Sequence, residues 1–177
     1  MKRYLFKKIL LGLSTVLLLS SSTLYAQDYV TIIDADFLKK EFSFQDEEKI
    51  KYAECRKSSY PTCKYIWGKE TAKSLKKDAY AKKHNLTPSG NELTVTYAQA
   101  VKVSDFGRVK KVLKGATKVE GIGVDALWQD SKFKKQLSFI TDKNIIIHVS
   151  MDVKGLKDAK QHAINVAQHI LNRLTPL

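Results

Sequence analysis

The sequence predicts an α+β fold, an antiparallel sheet of about five to six strands with helices flanking it. In Ile145-Ile-Ile-His-Val-Ser-Met151 the period is two, so Ile145, Ile147, Val149 and Met151 share one face and Ile146, His148 and Ser150 the other. Upstream, Gln136–Thr141 repeats the pattern through Leu137 and Phe139, and Asp142-Lys-Asn144 reads as the loop of a hairpin. After Gly155, Leu156, Ala159, Ala163, Val166, Ile170 and Leu174 recur at steps of three or four, one stripe down a helix. Arg173 sits in its last turn and Pro176 just beyond. A helix with one apolar stripe and a sheet with one apolar face bury each other in a two-layer core.

From the start of the chain, Lys2, Arg3, Lys7 and Lys8 precede a mostly apolar run, Ile9–Leu19, and Leu24-Tyr-Ala26 offers a small residue for cleavage. Residues 1–26 therefore read as a secretory signal. The run ends in Ser20-Ser-Ser22, short of the roughly 20 apolar residues a spanning helix needs, so no transmembrane segment is expected after cleavage. Residues 27–177 form a single domain, exported to the periplasm or secreted. The full chain carries 31 basic and 18 acidic residues; the four leader positives leave 27 against 18, a charge of +9.

Ile33–Phe42 reads as a short helix with Asp34 as its cap and Ile33 set to pack on Leu38. Ile50–Cys55 and Cys63–Trp67 flank a polar loop that contains Pro61. Two thiols in an exported chain pair, which makes this a disulfide-tied hairpin, Cys55 to Cys63. Metal ligation or a redox pair lacks both a Cys-X-X-Cys spacing and an adjacent histidine. Lys69–His84 carries six lysines against two acids on a thin stripe of Ala72, Leu75 and Ala79. It is either a solvated helix or a docking face. Glu92–Tyr97 alternates as a strand, and Ser104 is placed to cap a helix over Asp105–Lys114 with Phe106, Val109 and Leu113 inward. The outer side of that helix shows Arg108, Lys110, Lys111 and Lys114.

Gly121-Ile-Gly-Val-Asp-Ala-Leu-Trp128, followed by the hairpin and the Ala-rich helix, resembles extracytoplasmic domains of the PsbP-like fold, including small bacterial envelope proteins. Gly121, Gly123, Ala126 and Trp128 carry the resemblance, and Cys63-Lys-Tyr-Ile-Trp67 is similar to a cysteine and aromatic strand of some members. The resemblance covers about the last third of the chain plus that strand. It implies an antiparallel sandwich and a family whose members mostly bind or assist other proteins. It brings no catalytic residues.

The histidines are where catalysis or a metal site is sought first. His162 and His169 lie two helical turns apart, roughly 10 Å, too far to share one ion. With Asn165 and Asn172 they read as a solvent-facing polar strip. His148, Ser150 and Asp152 share a strand face, but positions two apart are roughly 6.5 Å apart at the backbone, and nothing marks Ser150 as a nucleophile elbow. Gly121-Ile-Gly123 lacks the third glycine and the strand-to-helix setting of a phosphate loop, so it reads as a turn. No cofactor, metal or catalytic residue is expected. Trp67 and Trp128 read as core rather than a ligand shelf.

What remains is surface chemistry. The expectation is a non-enzymatic binding module whose partner is an acidic protein or anionic envelope polymer, met by Lys73, Lys76, Lys77, Lys82, Lys83, Arg108, Lys110 and Lys111. An immunity or inhibitor protein is a sharper form of the same class. An enzyme centred on His148 is the rival. Export and the lack of basic residues interleaved with exposed aromatics argue against nucleic acid.

Overall fold

A computed structural model describes residues 25–44, 50, 52–56, 58, 60–68, 72–86, 90–98, 102–131 and 134–174. Helices α1 (Tyr25–Ile32) and α2 (Ala35–Phe42) are followed by strands β1 (Tyr52–Arg56) and β2 (Thr62–Trp67). Then come α3 (Ala72–Lys83), β3 (Asn91–Ala98), a 3-10 turn at Val103–Asp105 and α4 (Phe106–Val112). β4 (Thr117–Lys118), β5 (Asp125–Asp130), β6 (Lys135–Ile140), β7 (Ile146–Asp152) and α5 (Ala159–Arg173) complete the chain. The leader expected at 1–26 lies outside the described residues except Tyr25 and Ala26, which open α1.

Among the described residues the sheet is antiparallel with seven strands, more than the five to six expected, in the order β1-β2-β3-β7-β6-β5-β4. The additional strands are β4 and β5. Ala126, Leu127 and Trp128 are all buried, so β5 has no alternation to betray it, and β4 is only two residues long. Cys55 and Cys63 face each other across β1 and β2 and are disulfide-bonded, as the hairpin reading requires.

One face of the sheet is the core. Cys63, Tyr65 and Trp67 of β2, Leu93, Val95 and Tyr97 of β3, Ile147 and Val149 of β7, and Leu137 and Phe139 of β6 are all buried there. The α5 stripe of Ala159, Ala163, Val166 and Ile170, with Ala167, closes over it. The helix begins at Ala159, three residues after the stripe's first leucine, because Asp158 adopts a left-handed conformation with φ 52°. Trp67 and Trp128 are core residues. Tyr29 of α1 stacks on Tyr97 with centroids 4.1 Å apart. The Tyr97 hydroxyl is buried there without a hydrogen-bond partner among the described residues.

Asp34 caps α2 by accepting the Phe37 amide at 2.8 Å. That bond, followed by Arg173 at 2.7 Å, holds its carboxyl below the ordinary carboxylate range. The polar side of α5 corrects one expectation. His162 donates Nδ1–H to Glu41 at 2.7 Å, Asn165 donates to the same oxygen at 2.9 Å, and His169 donates to the Ile32 carbonyl at 3.0 Å. Phe37 stacks on the His169 ring at 3.8 Å. These side chains are half-buried against α2 rather than in solvent, whereas Asn172 is exposed. They fasten α1 and α2 to α5.

Gly121 and Gly123 form the expected turn, with φ 77° and 56°. At Gly123 a Cβ would come within 2.3 Å of the Ile140 carbonyl oxygen, so the turn can press against β6 only with glycine there. Val124 donates its amide to that same oxygen at 2.8 Å, which starts β5 in register. The Ser104 cap does not form. Ser104 lies inside the 3-10 turn, and no side chain caps α4. Phe106 and Leu113 are nevertheless buried as expected, in a second cluster with Leu127, Ile140 and Ile146 on the sheet's other face.

Candidate functional site

α4 covers only one end of that second face. Beyond it, strand register sets two rows of polar residues side by side. Thr62, Thr96, His148 and Ser138 are neighbours across β2, β3, β7 and β6, and Lys64, Thr94, Ser150 and Gln136 form the next row. Each pair sits directly opposite because alternation turns every second residue outward. Thr62 and Thr96 share a hydrogen bond of 3.2 Å, and Lys64 pairs with Glu92 at 3.1 Å.

Where the rows meet α4 there is a cleft of about 560 Å³, a size that accommodates a small ligand or a side-chain group. Its floor includes Thr94, Thr96, Gln136, His148 and Ser150. Val109, Val112 and Leu113 make an apolar wall, and Arg108 and Lys134 stand beside it. Val112 is 77% exposed, so the wall is open to a partner. No Asp or Glu lines the cleft among the described residues. Arg108 lies 3.5 Å from Asp105, but its side chain is 86% exposed, so that pair holds it weakly.

The floor is internally ordered. Ser150 Oγ donates to Gln136 Oε1 at 3.2 Å, which orients the amide. Gln136 Nε2 then donates to Ser138 Oγ at 2.6 Å, and Ser138 Oγ lies 2.8 Å from His148 Nδ1. Gln136 Nε2, which can only donate, also lies 3.2 Å from His148 Nδ1, so Nδ1 is an acceptor. His148 is then the tautomer that carries its hydrogen on Nε2. Burial, and after it the Lys134 charge, pull the His148 pKa down to about 4. The ring is neutral at pH 7.

His148, Ser150 and Asp152 are not linked to one another: Ser150 bonds Gln136, His148 bonds Ser138, and Asp152 lies exposed at the end of β7. Ser138, the hydroxyl that does reach His148, is fully buried. Among the described residues no three His, Cys, Asp or Glu side chains gather as a metal site needs.

Of the surface cations singled out in the sequence, one reaches the cleft. Arg108 lines it; Lys110 pairs with Asp125 at 2.5 Å, and Lys111 is exposed. Lys76, Lys77, Lys82 and Lys83 are exposed on α3, and Lys73 belongs to the same helix with its side chain outside the described residues. Lys134, Gln136, Thr94 and Thr96 escaped sequence reasoning. The signal that points to Gln136, Thr94 and Thr96 is polar alternation in strands β3, β6 and β7 opposite a mostly apolar face, and Lys134 directly precedes β6.

No family model matches this chain, and no curated protein or solved structure matches it. Among the described residues no helix is long and apolar enough to cross a membrane.

Proposed function

We propose that the protein is an exported, non-enzymatic binding module, PsbP-like in its sandwich, that docks an acidic protein segment along α4 and the cleft beside it. One observation carries the reading. An open cleft joins an apolar wall to two cations and has no acidic lining among the described residues. A polypeptide with Asp or Glu next to apolar side chains matches both parts, whereas a uniformly charged polymer leaves Val109, Val112 and Leu113 unmatched. The chain's excess of basic residues steers such a partner in from a distance. The cross-strand disulfide and the apolar leader support export. The His148 relay supports binding over catalysis, since a ring whose Nδ1 already accepts a hydrogen bond and whose Nε2 carries its hydrogen makes a poor general base.

The test is a titration with a synthetic Glu-Leu peptide, with polygalacturonate beside it, at about 20 mM and about 500 mM salt. The reading expects peptide binding that weakens with salt and falls at least about tenfold when Arg108→Glu and Lys134→Glu are combined. Binding indifferent to both changes overturns it. Tighter binding of the polysaccharide moves the assignment to an envelope polymer.

A further inference from the structure

The hydrogen-bond chain beneath the cleft has a direction. It starts at the Ser150 hydroxyl, passes through the Gln136 amide and ends on His148 Nδ1, which Gln136 Nε2 approaches at 3.2 Å and Ser138 Oγ at 2.8 Å. Because Gln136 Nε2 can only donate, Nδ1 is the acceptor at this end of the chain and the ring hydrogen stands on Nε2. Nε2 has no protein partner among the described residues, and His148 lines the cleft. A hydrogen-bond donor held in place, within electrostatic reach of Lys134, calls for an acceptor of negative charge.

The rest of the cleft narrows the choice. Arg108 offers a second cation whose planar donors suit a two-oxygen acceptor. Val109, Val112 and Leu113 occupy the adjoining side, so the charged head sits on an apolar stem. A multiply charged group such as a phosphate finds only a neutral imidazole at the floor, where a full positive charge suits it better. A carboxylate carries one charge over two oxygens, which the neutral donor and the rim cations divide between them.

We propose that the cleft is a subsite for one carboxylate of the ligand, with His148 Nε2–H as its neutral hydrogen-bond donor and Arg108 and Lys134 as its counter-charges. His148 is a binding residue, and Gln136 and Ser150 are positioning residues that fix its tautomer. The assignment rests on the binding-module reading and names the group that the module holds. It can be tested without the partner.

The experiment is nitrogen NMR of the His148 ring in the whole protein, titrated with 4-methylpentanoate and, in parallel, with 4-methylpentanol. The free protein is expected to show Nδ1 unprotonated and Nε2 protonated. The carboxylate shifts Nε2 to saturation and the alcohol does not. His148→Phe, which keeps a ring but no donor, weakens 4-methylpentanoate binding roughly tenfold. Gln136→Leu removes the donor that holds Nδ1 as an acceptor, and the ring signals then report a mixture. A hydrogen on Nδ1 in the wild type, or equal response to acid and alcohol, overturns the subsite and leaves salt-dependent binding of the Glu-Leu peptide untouched. Carboxylate binding in a protein that ignores that peptide keeps the subsite and overturns the docking reading.

Discussion

Acidification isolates what His148 contributes to the fold. Its ring is pulled from an ordinary pKa of 6.5 to about 4, first by burial and then by Lys134. The unfolded chain therefore takes up a proton at His148 as pH falls below 6.5, and the folded chain does so only near pH 4. Stability is complete above pH 6.5 and drains away across that interval. At pH 4 the loss from this one side chain is roughly 3 kcal/mol. His148→Gln places a non-titrating amide at the same position, so its stability should fall less on acidification by about that amount. Contributions from the rest of the chain are common to both proteins and cancel in the difference. In urea denaturation at pH 7 and pH 4, the extra loss in the wild type is about 1.5 M of midpoint for a domain of this size. Parallel pH profiles for the two proteins would refute the buried neutral ring, and with it the relay that fixes its tautomer.

Three further substitutions probe the frame around the cleft. Gly123→Ala puts a methyl group against the Ile140 carbonyl at left-handed φ and should cost about 2–5 kcal/mol, whereas Gly121→Ala, with nothing within 4 Å of its Cβ, should cost about 1 kcal/mol. Comparable urea midpoints for the two variants contradict that placement of the turn. Cys55→Ser opens a bridge of sequence separation 8 and should lower stability by about 2.5 kcal/mol, a loss that reductant reproduces in the wild type and not in the variant. Tyr97→Phe deletes a buried hydroxyl that has no partner among the described residues. Its thermal midpoint should hold or rise, and a loss above about 1 kcal/mol means the hydroxyl is hydrogen-bonded after all.

The sheet's centre and its closing helix were legible because burial there is one-sided. Ile147, Val149 and the alanines of α5 write their period directly into the chain. β5 was not legible because its middle is buried on both faces, the core on one side and the α4 cluster on the other. His162 and His169 were misplaced for a different reason. Their partners, Glu41 and Ile32, come from the opposite end of the chain, 121 and 137 residues away, and no local pattern announces them. The cleft falls between these cases. His148 and Ser150 stood out as polar residues on a strand, but an exposed polar face is the ordinary condition of an antiparallel sheet. Register with β3 and β6, and the way α4 stops short of the middle, turn that face into a site.

The most direct measurement is backbone amide NMR mapping of the Glu-Leu peptide on the protein at low salt. The account predicts saturable shifts confined to Arg108–Leu113, Lys134–Gln136 and the strand around His148. Shifts confined to Lys76–Lys83 of α3, with the cleft silent, would contradict it and make the lysine-rich helix the binding face.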